Sequence, residues 1–337
     1  MADPSTTLAR QIRKEAARLG FAAVGFSSPV PQPVAMQHYT AMLRDGRHGE
    51  MGYMEKQMEE RADPSLLFAG LHTIISAAIS YNYPINYGDG LPKISKYALI
   101  DDYHTVVRAK LEELLAAIKI LVGEPLNARI TVDSSPLLEK TWAEEAGIGK
   151  TGKNTLLKVP SAGSYLFLGE ILVEREIVST KLALPNYCGS CSNCLERCPT
   201  GALLEPGKID ASKCISYLTV ELKRDFTAEE AAMIGEWLFG CDLCQEVCPY
   251  NCQASITRNE SFVVRQNLIG ITTERILNLT KSGFRELFYG TPIFRIGLRR
   301  LKRNARAVSN NLKKSAEIRQ EHGHSGKQVG ACSKEIK

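Results

Sequence analysis

Nine of the ten cysteines in this 337-residue chain lie between residues 188 and 252. Residues 188–199 read C-x2-C-x2-C-x3-C-P, and residues 241–249 repeat the later part of that pattern as C-x2-C-x3-C-P. A [4Fe–4S] cube needs four thiolates, and two-residue gaps let one tight loop supply three of them, so the fourth comes from elsewhere in the chain. The two runs therefore predict two [4Fe–4S] clusters and electron-transfer chemistry.

The cysteine before each proline indicates how the two runs share their ligands. In two-cluster bacterial ferredoxins this cysteine binds the other cluster, so the two loops brace each other. One cluster is thus predicted to be held by Cys188, Cys191, Cys194 and Cys248. The second is predicted to be held by Cys198, Cys241, Cys244 and one displaced cysteine. Cys214 is favoured for that place because it lies between the runs, and Cys252 is the alternative.

Disulfides and zinc are weaker interpretations of the same cysteines. The first residues lack the basic-then-apolar pattern of an export signal, so a reducing cytoplasm is expected and disulfides are not. Zinc sites favour paired C-x2-C elements without a Cys-Pro step. No apolar run approaches the roughly 18 residues that cross a bilayer, so we expect a cytoplasmic protein without a membrane association.

The elements that position the clusters can be predicted from hydrophobic periodicity. Helices are expected at residues 6–19, 106–122 and 136–146, with strands at 21–26, 74–81, 129–132 and 165–173. This alternation predicts an α+β protein whose residues 1–175 form an α/β cofactor-binding domain. A ferredoxin-like domain follows at 176–255, with a helical insert between its cysteine runs. Residues 256–319 are expected to be helical and repeat-like, and residues 320–337 to be disordered.

Asp133 is a candidate catalytic acid because it directly follows a predicted strand. Ligands in open α/β sheets collect at the carboxyl ends of strands, where a carboxyl group could protonate a substrate oxygen. Alternatively, Asp133 caps the next helix, with Ser134, Ser135 and Pro136 completing an ordinary helix start. The residue pattern alone favours the cap.

Two further segments carry polar groups that could bind a ligand or serve the fold. Residues 147–155 are glycine-rich and basic but match neither a Walker A loop nor a dinucleotide fingerprint. Their backbone N–H groups could cradle an anionic or amide-rich ligand, or the segment could be a plain loop. His104, in the triplet Asp102-Tyr103-His104, is expected to be structural.

The basic residues of the chain are unevenly distributed, although the net charge is only +5. Between Arg295 and Lys314 there are eight Lys or Arg residues and no acid. Phosphate binding would relieve their mutual repulsion, so this stretch predicts a nucleic-acid contact, with a merely solvated helix face as the alternative. The candidate residues are Arg295, Arg299, Arg303 and Arg306 on one face, flanked by Arg300 and Lys302.

Several motifs in fixed order resemble those of the epoxyqueuosine reductase family. They are Ile94–Ala98 followed by Asp102–His104, then Val132–Lys140, Gly147–Thr155 and Gly163–Ile171, and finally the eight cluster cysteines with Cys214–Thr219 and Gly240–Gln245. The resemblance covers roughly residues 5–310. The sequence departs from the family at Leu99-Ile100-Asp101, where Arg-Gly-Lys is usual, and in its short C-terminal region.

The resemblance implies an enzyme that removes the epoxide oxygen of epoxyqueuosine, at the wobble position of tRNA, as water. Two electrons and two protons are consumed. The implied cofactors are two [4Fe–4S] clusters and a cobalamin, and the implied partners are the tRNA anticodon stem-loop and an electron donor such as flavodoxin or ferredoxin. Asp133 matches the family's proton donor. The residues in motifs that line its cobalamin pocket are Tyr97, Asp133, Lys153, Asn154, Ser216 and Asp242.

Two other functions are weighed beside this one. A cobalamin- and iron–sulfur-dependent reductive dehalogenase shares the same chemical scheme, but it has no use for a basic helical tail. A ferredoxin-like electron-transfer module would use the N-terminal domain only to dock a partner. For the reductase, we expect a monomer.

Overall fold

The computed structural model describes residues 4–178, 184, 187–257 and 259–321. Its central sheet contains four strands: β1 (Ala23–Ser27), β2 (Thr73–Ser80), β4 (Ala128–Thr131) and β7 (Leu166–Val173). Their order is β1-β2-β7-β4, and every neighbouring pair is antiparallel. The α+β class is confirmed. Because the strands are antiparallel, however, Asp133 is not placed by a shared carboxyl edge of parallel strands.

Helices cover both faces of this sheet. Alternate residues of β2 point to opposite sides, and all eight are buried. Ile75, Ala77 and Ile79 pack with α1 (Pro4–Arg18) and α4 (Tyr103–Val122) in one core. The other face meets α5 (Glu139–Glu145), where Ala78 packs beside Ala143. This two-sided burial explains why β2 lacks a polar face.

The first turn of α4 is fixed by its own sequence. Asp102 is the N-cap residue, and its carboxylate accepts a hydrogen bond from the backbone N–H of His104. Gly123 ends the helix in the left-handed conformation, with φ of 72°. The cap therefore sets the direction in which Tyr103 and His104 leave the helix.

The segment before α5 is a loop and not the start of a helix. The helix begins at Glu139, three residues later than predicted, with Leu138 as its N-cap. Asp133 has a φ of 54°, a left-handed conformation that only a few per cent of non-glycine residues adopt. The prediction that Asp133 caps a helix at 136–146 is therefore wrong.

The cysteine-rich segment is built from short elements. They are α6 (Asn193–Arg197), β8 (Leu203–Glu205), β9 (Lys208–Ile209), α7 (Ala228–Met233), β10 (Trp237–Phe239), α8 (Leu243–Glu246) and α9 (Pro249–Gln253). The insert between Cys214 and Cys241 was predicted to be helical, and it does contain a π-helical turn at Tyr217–Glu221 and α7. It also contains β10, which periodicity missed because the strand has only three residues.

Strand β10 joins the insert to the N-terminal part of the chain. It pairs in parallel with β3 (Lys93–Ile94), and the ladder continues where Ser95 donates its N–H to the carbonyl of Phe239. Gly240 has a φ of 68°, and a Cβ atom there would lie 2.5 Å from the Cβ of Ser95. Only glycine allows this approach. The pairing crosses the predicted boundary near residue 175, and the domain limits themselves stay a prediction.

The remaining elements complete the chain. A small hairpin joins β5 (Lys150–Thr151) to β6 (Leu157–Lys158), and the lobe between β1 and β2 contains α2 (Pro33–Arg44) and α3 (Met58–Ala62). The C-terminal part is helical: α10 (Thr273–Leu277), α11 (Lys281–Phe288) and α12 (Gly297–Glu321). Residues 320–321 thus continue α12, and the rest of the tail predicted to be disordered lies outside the described residues. Within the described ranges, no helix has the length and apolar character needed to cross a membrane.

Candidate active site and cluster-binding cysteines

Asp133 is held at its side chain and at its backbone. Its Oδ2 atom accepts a hydrogen bond of 2.9 Å from the Tyr103 hydroxyl and lies 2.8 Å from Nε2 of His104. Its backbone N–H donates to Oε1 of Glu139 at 2.7 Å. The side chain is 51% exposed, so the carboxylate is anchored but open to a ligand. These contacts stabilise a backbone conformation that costs about 1–3 kcal/mol.

His104 lies between two carboxylates. Its Nδ1 atom is 2.7 Å from Oδ1 of Asp102, while Nε2 faces Asp133. Burial lowers the pKa of His104, but the hydrogen bonds to Asp102 and Asp133 outweigh it and raise the pKa to about 9. The imidazole is therefore protonated at neutral pH and donates from both nitrogens. Arg295, whose Nη1 lies 3.3 Å from Nε2, is then a neighbouring charge and not a donor to it.

The same contacts keep Asp133 ionised. The hydrogen bond from His104 lowers the pKa of Asp133 below its ordinary value, and the Tyr103 hydroxyl adds to this against the effect of burial. The proton of the Asp133–His104 pair thus lies on the imidazole at neutral pH. An oxyanion formed from a substrate would lie next to the Asp133 carboxylate, and the proton available to it is on Nε2 of His104.

A second carboxylate group lies beneath Asp133. Burial and the nearby charge of Asp133 raise the pKa of Glu139 to about 7. Glu170, on β7, is fully buried and accepts a hydrogen bond from Thr131 at 3.1 Å. Burial raises the pKa of Glu170 well above its ordinary value, and Glu139 adds to this. The neutral form of Glu170 is therefore favoured by its surroundings, and Glu139 titrates close to physiological pH.

Aromatic residues form the walls around this carboxylate group. The Tyr103 ring stacks on Phe167 with centroids 4.4 Å apart, and Tyr97 lies 6.2 Å from Tyr103 and 6.0 Å from Phe239. Tyr53 is 55% exposed and close enough to Asp133 to feel its charge. Burial, Glu221 and Asp133 raise the pKa of Tyr53 to about 12, so its hydroxyl stays protonated.

The four cysteines predicted for the first cluster lie together. Cys188, Cys191, Cys194 and Cys248 line one cavity with Asn154, Lys158 and Tyr187. Three of them come from the first run and one from the second, in agreement with the crossed arrangement of two-cluster ferredoxins. Among the described residues, no three His, Cys, Asp or Glu side chains are spaced to bind a single metal ion.

The other four cysteines form a second group. Burial raises the pKa of Cys214, Cys241 and Cys244, and each of these thiols is close enough to another member of the group to add to that shift. Cys198 acts in the same way on Cys214 and Cys244. The favoured cysteine, Cys214, thus lies with its predicted partners. The alternative, Cys252, has its Sγ 3.5 Å from the carbonyl of Cys248, a residue of the first group.

The glycine-rich segment covers the first cysteine loop. Lys153 donates its backbone N–H to Sγ of Cys188 at 3.4 Å, and its Nζ contacts the carbonyls of Gly189 and Cys191 at 2.9 and 2.8 Å. Asn154 is buried and donates to the carbonyl of Cys244 at 3.3 Å. These two residues of the predicted cobalamin set therefore contact the cysteine loops and not the Asp133 cleft.

Asp242, another residue of the predicted cobalamin set, is buried and bonds protein groups. It is 1% exposed and accepts hydrogen bonds from the Ser95 hydroxyl at 2.5 Å and the Lys96 N–H at 2.7 Å. Burial raises the pKa of Asp242 to about 6. It thus ties the cysteine loop to the segment that contains Tyr97. Ser216 is half-buried, and its backbone N–H bonds the thiol of Cys214.

The predicted tRNA-contacting residues separate into two groups. Arg295, Arg299 and Arg306 are exposed, and Arg300 and Lys302 are half-buried. Arg303 is buried: it donates to the carbonyls of Leu218, Leu222 and Arg224, and its guanidinium lies 4.0 Å from the centre of the Phe226 ring. The prediction that Arg303 contacts tRNA is therefore corrected, because its N–H groups donate to carbonyls of the insert. Through Arg303, helix α12 holds the insert in place.

Comparison with known proteins identifies the family. Residues 187–251 match the 4Fe-4S double cluster binding domain, and residues 61–134 match the domain described as epoxyqueuosine reductase QueG, DUF1730. The epoxyqueuosine reductase of Cyclobacterium marinum is 35% identical over 302 residues, which cover 89% of this chain and 96% of that protein. The chain belongs to the epoxyqueuosine reductase family. The Pseudomonas aeruginosa epoxyqueuosine reductase is 38% identical over 312 residues, or 90% of this chain and 84% of its own length.

Solved structures of epoxyqueuosine reductases have the same fold. One, crystallised with an epoxyqueuosine-modified tRNA-Tyr stem loop, has a TM-score of 0.82 at 27% identity and covers 93% of this chain and 84% of its own. The Bacillus subtilis enzyme has a TM-score of 0.77 at 25% identity, covering 96% and 87%, in a structure whose catalytic aspartate loop is swung out of the active site. The resemblance read from the motifs is confirmed, and so are the oxidoreductase class and the double-cluster domain.

Sequence reasoning missed several residues that contact the epoxyqueuosine reductase site. His104 was expected to be structural, yet it bonds Asp133 directly. Glu139 belongs to a family-like motif but was given no role, and Glu170 was not singled out. The available signal was the position of Glu139 within the Val132–Lys140 motif. For Glu170, a single acid in an apolar strand was the only hint.

Proposed function

We propose that this chain reduces epoxyqueuosine to queuosine at the wobble position of tRNA. The observation that carries the proposal is the Asp133 carboxylate, 51% exposed and backed at 2.8 Å by the imidazole of His104. Membership of the epoxyqueuosine reductase family supports it, whereas no observation specifically supports the dehalogenase. The epoxide C–O bonds are replaced by a C=C bond, and the oxygen leaves as water after taking up two electrons and two protons.

The ligand sets proposed for the two clusters follow the cysteine groups. Cys188, Cys191, Cys194 and Cys248 would hold one, and Cys198, Cys214, Cys241 and Cys244 the other. The first proposal is supported by the common cavity and the second by the mutual effects on thiol pKa. Bound clusters and cobalamin would supply the two electrons, delivered by a flavodoxin- or ferredoxin-like donor.

A cobalamin fits part of the predicted residue set. Tyr97 packs against the ring of Tyr103, whose hydroxyl bonds Asp133, and Ser216 is half-buried beside Cys214. We propose that these three residues would line the group. Lys153, Asn154 and Asp242 would support the wall from behind, because their hydrogen bonds are made to protein groups.

Asp133 and His104 are proposed to deliver one proton together. At neutral pH the proton lies on Nε2 of His104, 2.8 Å from Oδ2 of Asp133. As negative charge develops on the epoxide oxygen, the His104 proton would move to the Asp133 carboxylate, which would pass it to that oxygen and leave the imidazole neutral. Asp102, 2.7 Å from Nδ1, holds the imidazole in the orientation this requires. The second proton would come from solvent.

The exposed basic residues of the C-terminal region are proposed to hold the tRNA backbone. Arg295 joins the cleft to this surface, because its guanidinium lies 3.3 Å from His104. Arg299 and Arg306 extend the positive surface along α12, with Arg300 and Lys302 beside it. Contacts of this kind position a nucleic acid without reading its sequence. A monomer in the cytoplasm is part of the proposal.

The decisive experiment is direct. The chemically reduced protein, with both kinds of cofactor supplied, is incubated with epoxyqueuosine-bearing tRNA, and the nucleosides are analysed by mass. We expect loss of the mass of one oxygen atom from the modified nucleoside. Unchanged epoxyqueuosine with a fully loaded protein would refute the proposed function. A halogenated aromatic substrate, tested in parallel, addresses the dehalogenase alternative.

A further inference from the structure

Lys158 is a buried lysine whose ammonium group points at a cluster cysteine. It is 3% exposed, and its Nζ lies 3.1 Å from Sγ of Cys188. It also borders the cavity lined by the four cysteines of the first group. Its charge reaches Cys194, where it opposes the burial that raises the pKa of that thiol. One lysine therefore acts on two sulfur ligands.

The glycine-rich segment is shaped to admit this side chain. A Cβ atom at Gly152 would lie 1.7 Å from Nζ and 2.8 Å from Cε of Lys158. Any larger residue at position 152 would displace the ammonium group. The backbone N–H of Lys153, next to it, lies 3.4 Å from the same Cys188 sulfur. Two donors thus converge on one sulfur from this hairpin.

Among the described residues, no carboxylate forms an ion pair with Lys158 to balance its charge. In the part of the chain that the structure describes, Lys158 forms no ion pair, whereas Lys150, directly opposite it in the hairpin, pairs with Glu144 at 3.3 Å. A buried ammonium group requires a counter-charge or a full set of acceptors. The group of cysteine thiolates, with the iron they bind, is the negative charge available to it.

We propose that Lys158 raises the reduction potential of the cluster bound by Cys188, Cys191, Cys194 and Cys248. One-electron reduction makes that cluster more negative, and hydrogen bonds and positive charge at the sulfurs stabilise the reduced form more than the oxidised form. The electron would come from a low-potential one-electron donor protein. No bond forms or breaks. The role of Lys158 is to let this cluster accept electrons from a weaker reductant.

The proposal uses the cysteine assignment given above but not the tRNA reaction. Its test therefore reads the cluster itself. The full chain is purified anaerobically with both clusters loaded, as wild type and as Lys158→Met, Lys158→Gln and Lys150→Met. Iron and sulfide contents are measured first, and each cluster is then titrated potentiometrically by electron paramagnetic resonance.

In Lys158→Met, we expect one cluster to become harder to reduce by at least tenfold, about 59 mV for one electron. Lys158→Gln should lie between this variant and the wild type, because an amide keeps a donor without the charge. The second cluster, and both clusters of Lys150→Met, should be unchanged. If only Lys158→Met loses iron, the potential of the intact cluster in Lys158→Gln, compared with the wild type, tests the proposal.

Two results would overturn the proposal. Unchanged potentials in both Lys158 variants would show that the charge does not act on the cluster. Loss of iron from both variants would make Lys158 a residue for cluster assembly and not for tuning. If the wild-type chain fails to bind two clusters, the cysteine assignment fails together with this proposal. If the protein does not act on tRNA but the cluster potential shifts in the Lys158 variants, the proposed function fails and this proposal stands.

Discussion

The Nε2 atom of His104 lies 2.8 Å from Oδ2 of Asp133, so the two side chains share one proton. The imidazole is less exposed than the carboxylate. The sharing is asymmetric. The pKa of His104 is raised to about 9, and that of Asp133 is lowered. The residue that meets the substrate is therefore not the residue that stores the proton. Each prediction for the reaction depends on that separation.

Replacing Asp133 by Asn should remove epoxide reduction. The amide can still accept from Tyr103 and His104, but it cannot pass a proton on. Loss of a general acid lowers kcat by about 10²–10⁴-fold. The measurement is single-turnover conversion of modified tRNA, with iron content recorded in parallel. Asp89→Asn, at an exposed loop position, is the matched control. Normal turnover by Asp133→Asn would rule out the proton-donor role.

Replacing His104 by Gln should change the pH profile as well as the rate. In the wild type, kcat should fall as the pH rises through about 9, because His104 then loses its proton. The variant should be slower by about 10–100-fold and lack this alkaline limb. The folded-state pKa lies above the ordinary 6.5, so the stabilising contribution is complete below pH 6.5 and is lost as the pH rises through 9. An unchanged alkaline limb would contradict the assignment.

Glu139 should position Asp133 through its backbone. Glu139→Ala removes the acceptor for the Asp133 N–H, and we expect kcat to fall by about tenfold or more with little change in KM. Glu139→Gln keeps an acceptor oxygen and should recover most of the rate. A fall of equal size in both variants would contradict a positioning role.

The same residue has a predicted effect on stability. The pKa of Glu139 is raised from 4.5 to about 7, so ionising it costs stability as the pH rises through 7. Glu139→Gln should therefore gain stability relative to the wild type above pH 7 and show no such gain below pH 4.5. Thermal unfolding of the two proteins across this range checks the sign.

Two arginines of α12 should behave differently. Arg306→Gln should weaken tRNA binding for all sequences and reduce the slope of affinity against salt by about one. Arg303→Met should instead destabilise the fold by on the order of 3 kcal/mol, because several carbonyls lose their donor. Binding by fluorescence anisotropy and unfolding by denaturant separate the two effects. Reversed results would exchange the assigned roles.

The fourth ligand of the second cluster can be decided by substitution. Cys214→Ser should lose about half of the iron, whereas Cys252→Ser should keep both clusters, because Cys214 lies with Cys241 and Cys244. Iron analysis and absorption spectra provide the measurement. Full cluster content in Cys214→Ser would favour Cys252.

The cysteine groups could be predicted because their information is local. Ligand spacing within a run of a dozen residues determines which thiols share a cluster, and the crossed cysteine follows from the proline beside it. Asp133 was singled out by the motif resemblance, whereas the argument from parallel strand ends fails because the sheet is antiparallel. His104 comes from α4 and Glu170 from β7, and only the packing of these elements around the sheet brings them near Asp133.

Charge patterns were less reliable than cysteine spacing. Arg303 and Arg306 look alike in sequence, yet one is buried and the other is exposed. The difference is made by the carbonyls of Leu218, Leu222 and Arg224, in and just after the π-helical turn, which accept hydrogen bonds from Arg303. A pattern of basic residues cannot report where such acceptors lie.

The pairing of β3 with β10 has a consequence for how the protein is made. Residues 93–94 leave the ribosome long before residues 237–239, so β3 has to wait for a partner that is synthesised late. Until then, the segment that contains Tyr97 has no ladder to hold it, and the carboxylate of Asp242 has not yet bonded Ser95. The cleft can therefore be completed only after most of the chain has emerged. Cofactor binding at this site is therefore expected to take place after translation.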